Sequence, residues 1–319
     1  MYKSLIQSEK YRFFRKIFGE DSMNVLTIVS GKGGVGKTTL ASSLAVLLAK
    51  EKKIIVVDCD VDAPNLGLSL GLKDNNFCWQ DIQTSERAQL IEERCIGCGR
   101  CVDVCNFSAI TFDNKRKIPV FNKFLCEGCG ACQIICPANA IALKKVKNGR
   151  IGVATSPYGV KVVSGQLKMG ESGSGKIVTL IKNKAIEIGE KEGSEVMIVD
   201  AAAGIGCPVI ASITGSDFVV AITEPTKPAL NDLKRVVSVV NHFGIKFGIV
   251  INKHGLNDPM SRKIANFANR QGAEILGRVP YEDDFVKATV NLIPAAKYNK
   301  KFEAIFHNIL ENIKVAMGI

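Results

Sequence analysis

The chain has 319 residues, 46 % of them hydrophobic, and no apolar run approaches the 18 residues of a membrane-spanning helix. This length favours two folding units, and the charges of the segment 10–21 argue against a cleavable signal peptide, so we expect a cytoplasmic protein. The formal net charge is +11, but much of it comes from lysines scattered over predicted helix faces. Such a distribution is typical of a solvated surface and disfavours nucleic acid as a partner.

The first 22 residues stand apart from the pattern of the rest of the chain. Phe14, Ile17 and Phe18 have helical spacing, with basic residues between them. This pattern fits a helix packed on the protein body, a disordered tail or a helix at a membrane surface, so membrane contact stays an open alternative. Because the first predicted strand begins after Met23, we define residues 1–22 as an N-terminal extension.

The first predicted strand, VLTIVS, runs directly into the glycine-rich segment GKGGVGKTT. Its first eight residues match the P-loop pattern G-x-x-x-x-G-K-[ST] in the position that this pattern requires, between a strand and a helix. The glycines let successive backbone N–H groups face the phosphates of a nucleotide, Lys37 is expected to reach the terminal phosphates, and the Thr38 hydroxyl is expected to bind Mg²⁺. The predicted nucleotide-binding residues of this loop are Gly31, Lys32, Gly33, Gly34, Val35, Gly36, Lys37, Thr38 and Thr39.

Short apolar runs alternate with helix-length segments along most of the chain. The runs KIIVVD, VMIVD, DFVVAI, FGIVIN and EILGRV predict further strands after the first one. This rhythm predicts an α/β fold with a doubly wound, mostly parallel sheet that helices cover on both faces. The rhythm stops in residues 85–146. We therefore predict that these residues form an inserted α+β domain between the two parts of one P-loop domain, residues 23–84 and 147–319.

The insert contains an internal repeat that is rich in cysteine. The segments CIGCGRCVDVCNFSAITF and CEGCGACQIICPANAIAL are identical at 8 of 18 positions, and each has the spacing C-x2-C-x2-C-x3-C. In this spacing three thiolates bind one corner of a [4Fe-4S] cubane and the fourth points toward a neighbouring cluster. Structural zinc sites, the main alternative, generally use pairs of ligands separated by longer loops. The eight predicted ligands of two clusters are Cys95, Cys98, Cys101, Cys105, Cys126, Cys129, Cys132 and Cys136.

A second lysine inside the glycine-rich loop, Lys32, makes this loop a deviant P-loop. It resembles the loop of the MinD, ParA and Mrp group of ATPases and of the nitrogenase iron protein. In that group the additional lysine reaches the phosphates bound by the other subunit of a nucleotide-sandwich dimer. The resemblance therefore implies MgATP as the ligand, ATP hydrolysis, and a homodimer or a heterodimer with a related ATPase.

Three further segments resemble the same group. VVDCDVDAPNLGLSLG is similar to its switch I, which implies that Asp58 belongs to the nucleotide site and that Asp60 orients the attacking water. VMIVDAAAGIG is similar to its Walker B strand and switch II, which implies that Asp200 supports the hydrated Mg²⁺. Asn252 stands where the group places an adenine-reading residue. Taken alone, each of these aspartates could also be a helix cap or a turn residue.

The doubled cysteine run resembles a bacterial ferredoxin with two clusters. That family exchanges the fourth ligand between its two halves. Asn106 departs from the family, which usually has proline after the fourth cysteine, and this departure bears on the rigidity of the local turn. The resemblance assigns Cys95, Cys98, Cys101 and Cys136 to one cluster, and Cys126, Cys129, Cys132 and Cys105 to the other.

Three cysteines lie outside these runs. Cys59 and Cys78 are predicted to be packing residues. Cys207 stands seven residues after Asp200, where the nitrogenase iron protein also has a cysteine that helps to hold a cluster between subunits. The glycine-rich loop GESGSGK lacks the second cysteine that such a cluster needs. This loop also resembles a P-loop, but Ile177 replaces the Mg²⁺-binding Ser or Thr, so we predict no second nucleotide site.

The whole order of motifs in residues 23–319 resembles MinD-superfamily ATPases with an inserted ferredoxin domain. We therefore expect an ATP-hydrolysing switch protein whose dimerisation drives electron delivery, or iron-sulfur or metal-cofactor maturation, on a protein partner of unknown identity. The alternative is a positioning or scaffold ATPase of the MinD or ParA kind. Its clusters would then serve as a redox sensor or as a structural staple.

Overall fold

The computed structural model of the protein describes residues 23–319, so our alternatives for the N-terminal extension lie outside the described residues. None of the helices in the described part of the chain is long and apolar enough to cross a membrane. The α-helices are Lys37–Leu48 (α1), Leu66–Ser69 (α2), Arg100–Asp103 (α3), Ala131–Ile135 (α4), Ser174–Glu192 (α5), Cys207–Ile213 (α6), Lys227–His242 (α7), Asp258–Arg270 (α8), Asp284–Val290 (α9), Ala295–Tyr298 (α10) and Lys300–Met317 (α11).

Six of the strands follow the apolar runs of the sequence, and the others lie outside these runs. The strands are Asn24–Ser30 (β1), Ile54–Asp58 (β2), Cys78–Ile82 (β3), Ser85–Leu90 (β4), Ile110–Asp113 (β5), Ile118–Phe121 (β6), Ile141–Val146 (β7), Gly149–Thr155 (β8), Lys161–Leu167 (β9), Val196–Ala203 (β10), Phe218–Thr223 (β11), Lys246–His254 (β12) and Ile275–Pro280 (β13).

Nine of these strands form one sheet in the order β13-β12-β11-β1-β10-β2-β9-β8-β3. Every neighbouring pair from β13 to β9 is parallel. The predicted mostly parallel sheet is thus confirmed. Because parallel strands end at the same edge of a sheet, the residues that follow β1, β2, β10, β11 and β12 meet at one edge.

Helices cover both faces of this sheet, as the predicted doubly wound fold requires. One apolar core packs α1 and α11 against the sheet, with Leu44 and Phe302 among its fully buried side chains. A second core packs α6, α7 and α8 against the opposite face. The central strands are buried on both sides, which explains why their sequences are continuous runs of valine and isoleucine rather than alternating patterns.

The chain divides into two compact units. The first consists of the described residues up to Trp79, Ile151–Gln166 and Ser174–Ile319. The second consists of Gln80–Arg150 and Leu167–Gly173, and the predicted insert, residues 85–146, falls inside these bounds.

The second unit has antiparallel β-structure and two short helices. Strand β4 pairs with β7, and β5 pairs with β6. Helices α3 and α4 each follow a glycine in the left-handed conformation, Gly99 with φ 74° and Gly130 with φ 80°. The core of the unit is small, and two cysteines, Cys101 and Cys132, belong to it.

Candidate functional site

The glycine-rich loop leaves β1 and turns into the N-terminus of α1. Gly36 precedes this helix with φ 93°, in the left-handed region that glycine adopts without strain. A Cβ atom at Gly36 would also overlap the side-chain amide of Asn252. The loop is further held by the Ser30 hydroxyl, which donates a hydrogen bond to the backbone oxygen of Lys32 at 2.7 Å. Lys37, the first residue of α1, is buried.

Asp200 lies in β10, beside the start of α1. Its Oδ2 accepts a hydrogen bond from the Thr38 hydroxyl at 2.6 Å. Its Oδ1 is buried and accepts no hydrogen bond from the residues that the structure describes. Burial raises the pKa of Asp200 to about 6, although the nearby Lys37 opposes this rise. A buried carboxylate oxygen without a partner, next to a P-loop hydroxyl, fits a hydrated Mg²⁺ that bridges to nucleotide phosphates.

Asp58 and Asp60 lie at and just beyond the end of β2. The two Asp58 carboxylate oxygens accept hydrogen bonds from the backbone N–H of Leu66 at 2.9 Å and of Asp60 at 3.2 Å. Burial and the neighbouring Asp200 raise the pKa of Asp58 well above its ordinary value. Asp58 therefore shapes the loop that presents Asp60, whose pKa burial also raises while Lys37 opposes the rise.

A cavity of about 170 Å³ opens beside the P-loop, and Gly34 and Gly36 form part of its wall. Asn252, the residue predicted to read adenine, also lines it. The side-chain amide of Asn252 donates to the backbone oxygen of Val35 at 2.8 Å, so it also supports the loop. The other wall contains the apolar side chains Val279, Pro280, Tyr281, Phe285 and Val286. An apolar cavity next to a phosphate-binding loop has the character expected of a site for a nucleotide base.

The cysteines of the second unit line two separate small cavities, each of about 20 Å³. Each cavity receives three cysteines from one run and the fourth from the other run. The first is lined by Cys95, Cys98, Cys101 and Cys136. The second is lined by Cys126, Cys129, Cys132 and Cys105. These two sets are the same as the ones that the resemblance to ferredoxins implies.

The chemistry of these cavities fits a metal cluster. All eleven cysteines lie within the described residues, and none forms a disulfide. Backbone N–H groups donate to the Sγ atoms of Cys105 and Cys136, each at 3.3 Å. Burial raises the pKa of Cys101 and raises that of Cys132 to about 11. Metal binding would favour the thiolate form of such a thiol, because the cation compensates the charge on the sulfur.

Comparison with known proteins identifies the family of the chain. Residues 26–294 match the family described as the CobQ/CobB/MinD/ParA nucleotide binding domain. The chain belongs to this family. It is 38 % identical over 289 residues to an uncharacterised protein of Methanocaldococcus jannaschii, and the match covers 91 % of this chain and 96 % of that one.

Two solved structures show how this family folds. Pyrococcus horikoshii MinD complexed with Mg-ADP has a TM-score of 0.56 and 18 % identity, and the match covers 91 % of this chain and 96 % of that one. The cell division ATPase MinD of Pyrococcus furiosus has a TM-score of 0.57 and 21 % identity, with 92 % and 98 % covered. The chain therefore has the α/β fold of an ATP-binding MinD/ParA-like ATPase.

Two charged residues of this site carry no motif and were missed in the sequence. Glu224 follows β11, and its carboxylate pairs with Lys32 at 2.6 Å and with Lys253 at 2.7 Å. The only sequence signal for Glu224 is its position after a buried strand, at the same sheet edge as Asp200. Lys253 directly follows Asn252 and lines the cavity beside the P-loop.

The structure also places the three other cysteines. Cys59 is fully buried, as a packing residue should be, and burial raises its pKa to about 12. The prediction that Cys78 packs inside the protein is wrong, because it is exposed in β3. Cys207 is exposed at the start of α6, and a Cβ atom at Gly175 would lie 3.0 Å from its Cβ.

Proposed function

We propose that the protein is an ATP-hydrolysing iron-sulfur protein, a nucleotide-switched dimer that couples ATP to electron transfer or to iron-sulfur or metal-cofactor maturation on a protein partner. The observation that carries the proposal is the presence of two cavities with four cysteines each in a chain whose other unit has a P-loop ATPase site. The predicted nucleotide-site residues all lie in the first unit. The cysteine cavities explain why the chain has a second unit.

In the nucleotide site each residue has a separate task. The backbone of the P-loop and Lys37 bind the phosphates of ATP, while Thr38 and Asp200 hold Mg²⁺ and its water ligands. Asp60 orients the water that attacks the γ-phosphate. Lys32 contacts the nucleotide of the second subunit, so hydrolysis requires a homodimer or a heterodimer with a related ATPase.

The two cysteine sets hold one [4Fe-4S] cluster each, and the crossed fourth ligands tie the two halves of the unit together. When bound, the clusters supply one-electron transfer within a protein environment. The backbone donors to Cys105 and Cys136 would stabilise negative charge on the sulfur atoms, which is one of the ways in which a protein tunes a cluster potential. We assign the cluster domain to residues 85–146 and the ATPase domain to residues 23–84 and 147–319.

A second function fits the same family. The chain could be a positioning or scaffold ATPase in the cytoplasm, with the clusters as a redox sensor or a structural staple, because MinD is among the proteins that share its fold. Fast reversible reduction without loss of structure would favour the first function. ATP-dependent recruitment to a membrane or to DNA would favour the second.

Cluster content tests the proposal directly. After anaerobic reconstitution we expect about eight irons and eight acid-labile sulfides per chain, as eight ligands in two cubane sites imply. We expect Cys78→Ser, an exposed cysteine outside the runs, to retain this content. Stoichiometric zinc without visible charge-transfer absorption would contradict the proposal.

Pairs of substitutions test the crossed arrangement. Cys95→Ser and Cys136→Ser should each remove about half of the iron, and the double variant should lose no more than either single one, because both residues line one cavity. Cys95→Ser combined with Cys105→Ser should lose nearly all of it, because these residues line different cavities. The reverse pattern would show that each cysteine run binds its own cluster.

A further inference from the structure

Within residues 23–319, Glu224 is the one buried acidic side chain that pairs with Lys32 of the deviant P-loop. Its side chain is 7 % exposed, and each carboxylate oxygen has its own lysine: Oε1 pairs with Lys32 at 2.6 Å and Oε2 with Lys253 at 2.7 Å. Burial disfavours the ionised carboxylate, but the hydrogen bonds from Lys253 and Lys32 outweigh burial and hold the pKa of Glu224 below its ordinary value. Glu224 is therefore an ionised, buried group that depends on these two partners.

The two lysines differ in how firmly they are held. Lys253 belongs to β12, has a left-handed backbone with φ 51°, and its Nζ also lies 3.5 Å from the backbone oxygen of Gly34. Lys32 stands on the loop, and its side chain is 41 % exposed compared with 33 % for Lys253. If Lys32 leaves, Lys253 still compensates the buried charge, so the large penalty of a bare buried carboxylate is avoided.

We propose that Glu224 is a positioning residue that holds Lys32 within its own subunit, and that Lys32 must leave Glu224 to reach the nucleotide of a second subunit. This inference rests on the proposed function, because it takes the role of Lys32 across the dimer as given. Without ATP, the contact keeps the lysine away from the dimer interface. With ATP bound to the partner, the phosphates compete with Glu224 for the same ammonium group.

The contact therefore sets the nucleotide concentration at which the dimer forms. Formation of a symmetric dimer breaks one Glu224–Lys32 contact in each subunit. The dimerisation constant therefore contains the factor for one contact squared. An ion pair with one half-exposed member contributes about threefold to an equilibrium constant. Loss of the Glu224 charge should thus raise the dimerisation constant about tenfold. Loss of the Lys253 charge should have the opposite effect, because Glu224 would then depend on Lys32 alone.

Sedimentation velocity with a non-hydrolysable MgATP analogue tests this inference. Because each dimer binds two nucleotides, we expect Glu224→Gln to dimerise at about threefold lower analogue concentration than the wild type, and Lys253→Met to require a higher concentration. Combining Glu224→Gln with Lys32→Ala should bring no gain over Lys32→Ala alone. The matched control is Glu303→Gln, which removes an exposed carboxylate paired with Lys50 at 2.6 Å elsewhere in the same unit. Glu303→Gln should dimerise at the same analogue concentration as the wild type.

Several outcomes would overturn the inference. A gain of equal size in the Lys32→Ala background would mean that Glu224→Gln acts through general charge at the P-loop. Weaker dimerisation in both Glu224→Gln and Lys253→Met, with reduced MgADP affinity, would mean that the cluster only supports the structure. An unchanged threshold in Glu224→Gln would refute the inference while wild-type dimerisation leaves the proposed function intact. A wild type that binds MgADP but stays monomeric with the analogue would overturn both.

Discussion

Asp200 shows how a single side chain can reduce stability for the sake of function. It is buried, one of its oxygens has no hydrogen-bond donor among the described residues, and its pKa is raised to about 6. At neutral pH the nucleotide-free protein therefore holds a desolvated charge close to a second carboxylate, that of Asp58. Such a site is costly when empty and favourable when Mg²⁺ occupies it, which links metal binding to stability.

The substitution Asp200→Asn should stabilise the protein when Mg²⁺ and nucleotide are removed. The folded protein keeps the proton of Asp200 up to pH of about 6, while the unfolded chain releases it near 3.8. The free energy of unfolding should therefore fall as the pH rises between these values. The fall should be smaller in the variant, in which only Asp58 and Asp60, whose pKa values burial also raises, still contribute. Above pH 6 we expect a gain on the order of 1 to 3 kcal/mol in thermal or urea unfolding with a chelator present. A variant less stable than wild type at pH 7.5 would contradict this explanation.

Lys37 and Asp60 should separate binding from hydrolysis. Lys37→Ala removes the lysine expected at the terminal phosphates, so MgATP affinity should fall about 100-fold or more. Asp60→Ala should keep the affinity within a few-fold but lower the hydrolysis rate at least 100-fold, as expected when a water-orienting group is lost. Fluorescent-nucleotide titration and phosphate release measure the two effects. Loss of binding in both variants would refute the separate roles.

The nucleotide site also shows which residues a sequence can identify. The P-loop and Walker B motifs fix the positions of Lys37, Thr38 and Asp200. Their proximity could therefore be predicted from these motifs without the structure. Glu224 could not be identified in this way, because its importance depends on two lysines that come from distant parts of the chain, the P-loop and β12. Only the tertiary structure brings these three side chains together, so no local sequence pattern predicts the cluster.

At the scale of elements, one buried asparagine organises the second unit. Asn148 accepts a hydrogen bond from the backbone N–H of Thr84 at 2.8 Å, and its amide group donates to the backbone oxygen of Ser172 at 2.9 Å. Close by, Arg87 pairs with Glu171 at 2.6 Å, and both side chains are largely buried. These contacts bring the segment Leu167–Gly173 into the second unit.

Replacing Asn148 with alanine should loosen this unit selectively. The change leaves several buried donors and acceptors without partners, which costs on the order of 2 to 4 kcal/mol. We expect faster proteolysis in residues 167–173 and lower iron retention, with ATP binding preserved. Asn114→Ala, at an exposed position of the β5–β6 turn, is the matched control and should resemble the wild type. Equal protease resistance of Asn148→Ala and wild type would contradict this role.

The central strands of the large sheet could be predicted from the sequence, whereas the placement of one segment of the second unit could not. The strands β1, β2 and β10 to β13 coincide with apolar runs, because burial on both faces favours continuous valine and isoleucine. Strand β3, with the sequence CWQDI, is largely exposed and does not. The segment Leu167–Gly173 was predicted as part of the P-loop domain, whereas it clusters with the second unit. Its placement depends on long-range hydrogen bonds to Asn148. Local hydrophobic patterns contain no information on such contacts.

At the scale of the whole molecule, the central claim is that ATP and the clusters influence each other. The predicted switch I ends near Gly71, and the first predicted ligand is Cys95, so about two dozen residues connect the segment that senses the γ-phosphate with the first cluster ligand. Contacts to the γ-phosphate reposition such switch segments in related proteins. Cluster potential depends on exposure and on hydrogen bonds to sulfur, so a change in the connected unit should alter it.

A redox titration of the reconstituted protein tests this claim most directly. It compares protein without nucleotide, with MgADP and with a non-hydrolysable MgATP analogue. The control is Lys37→Ala, used at nucleotide concentrations that saturate the wild type but not this variant. A coupling free energy of about 1 to 3 kcal/mol corresponds to a shift of about 40 to 130 mV for a one-electron couple. We predict a shift of this size between the ADP and analogue states of the wild type, the same free energy in the nucleotide affinities of oxidised and reduced protein, and no shift in Lys37→Ala. Identical cluster potentials in all three nucleotide states, together with identical nucleotide affinities of the oxidised and reduced protein, would contradict the claim that ATP and the clusters influence each other.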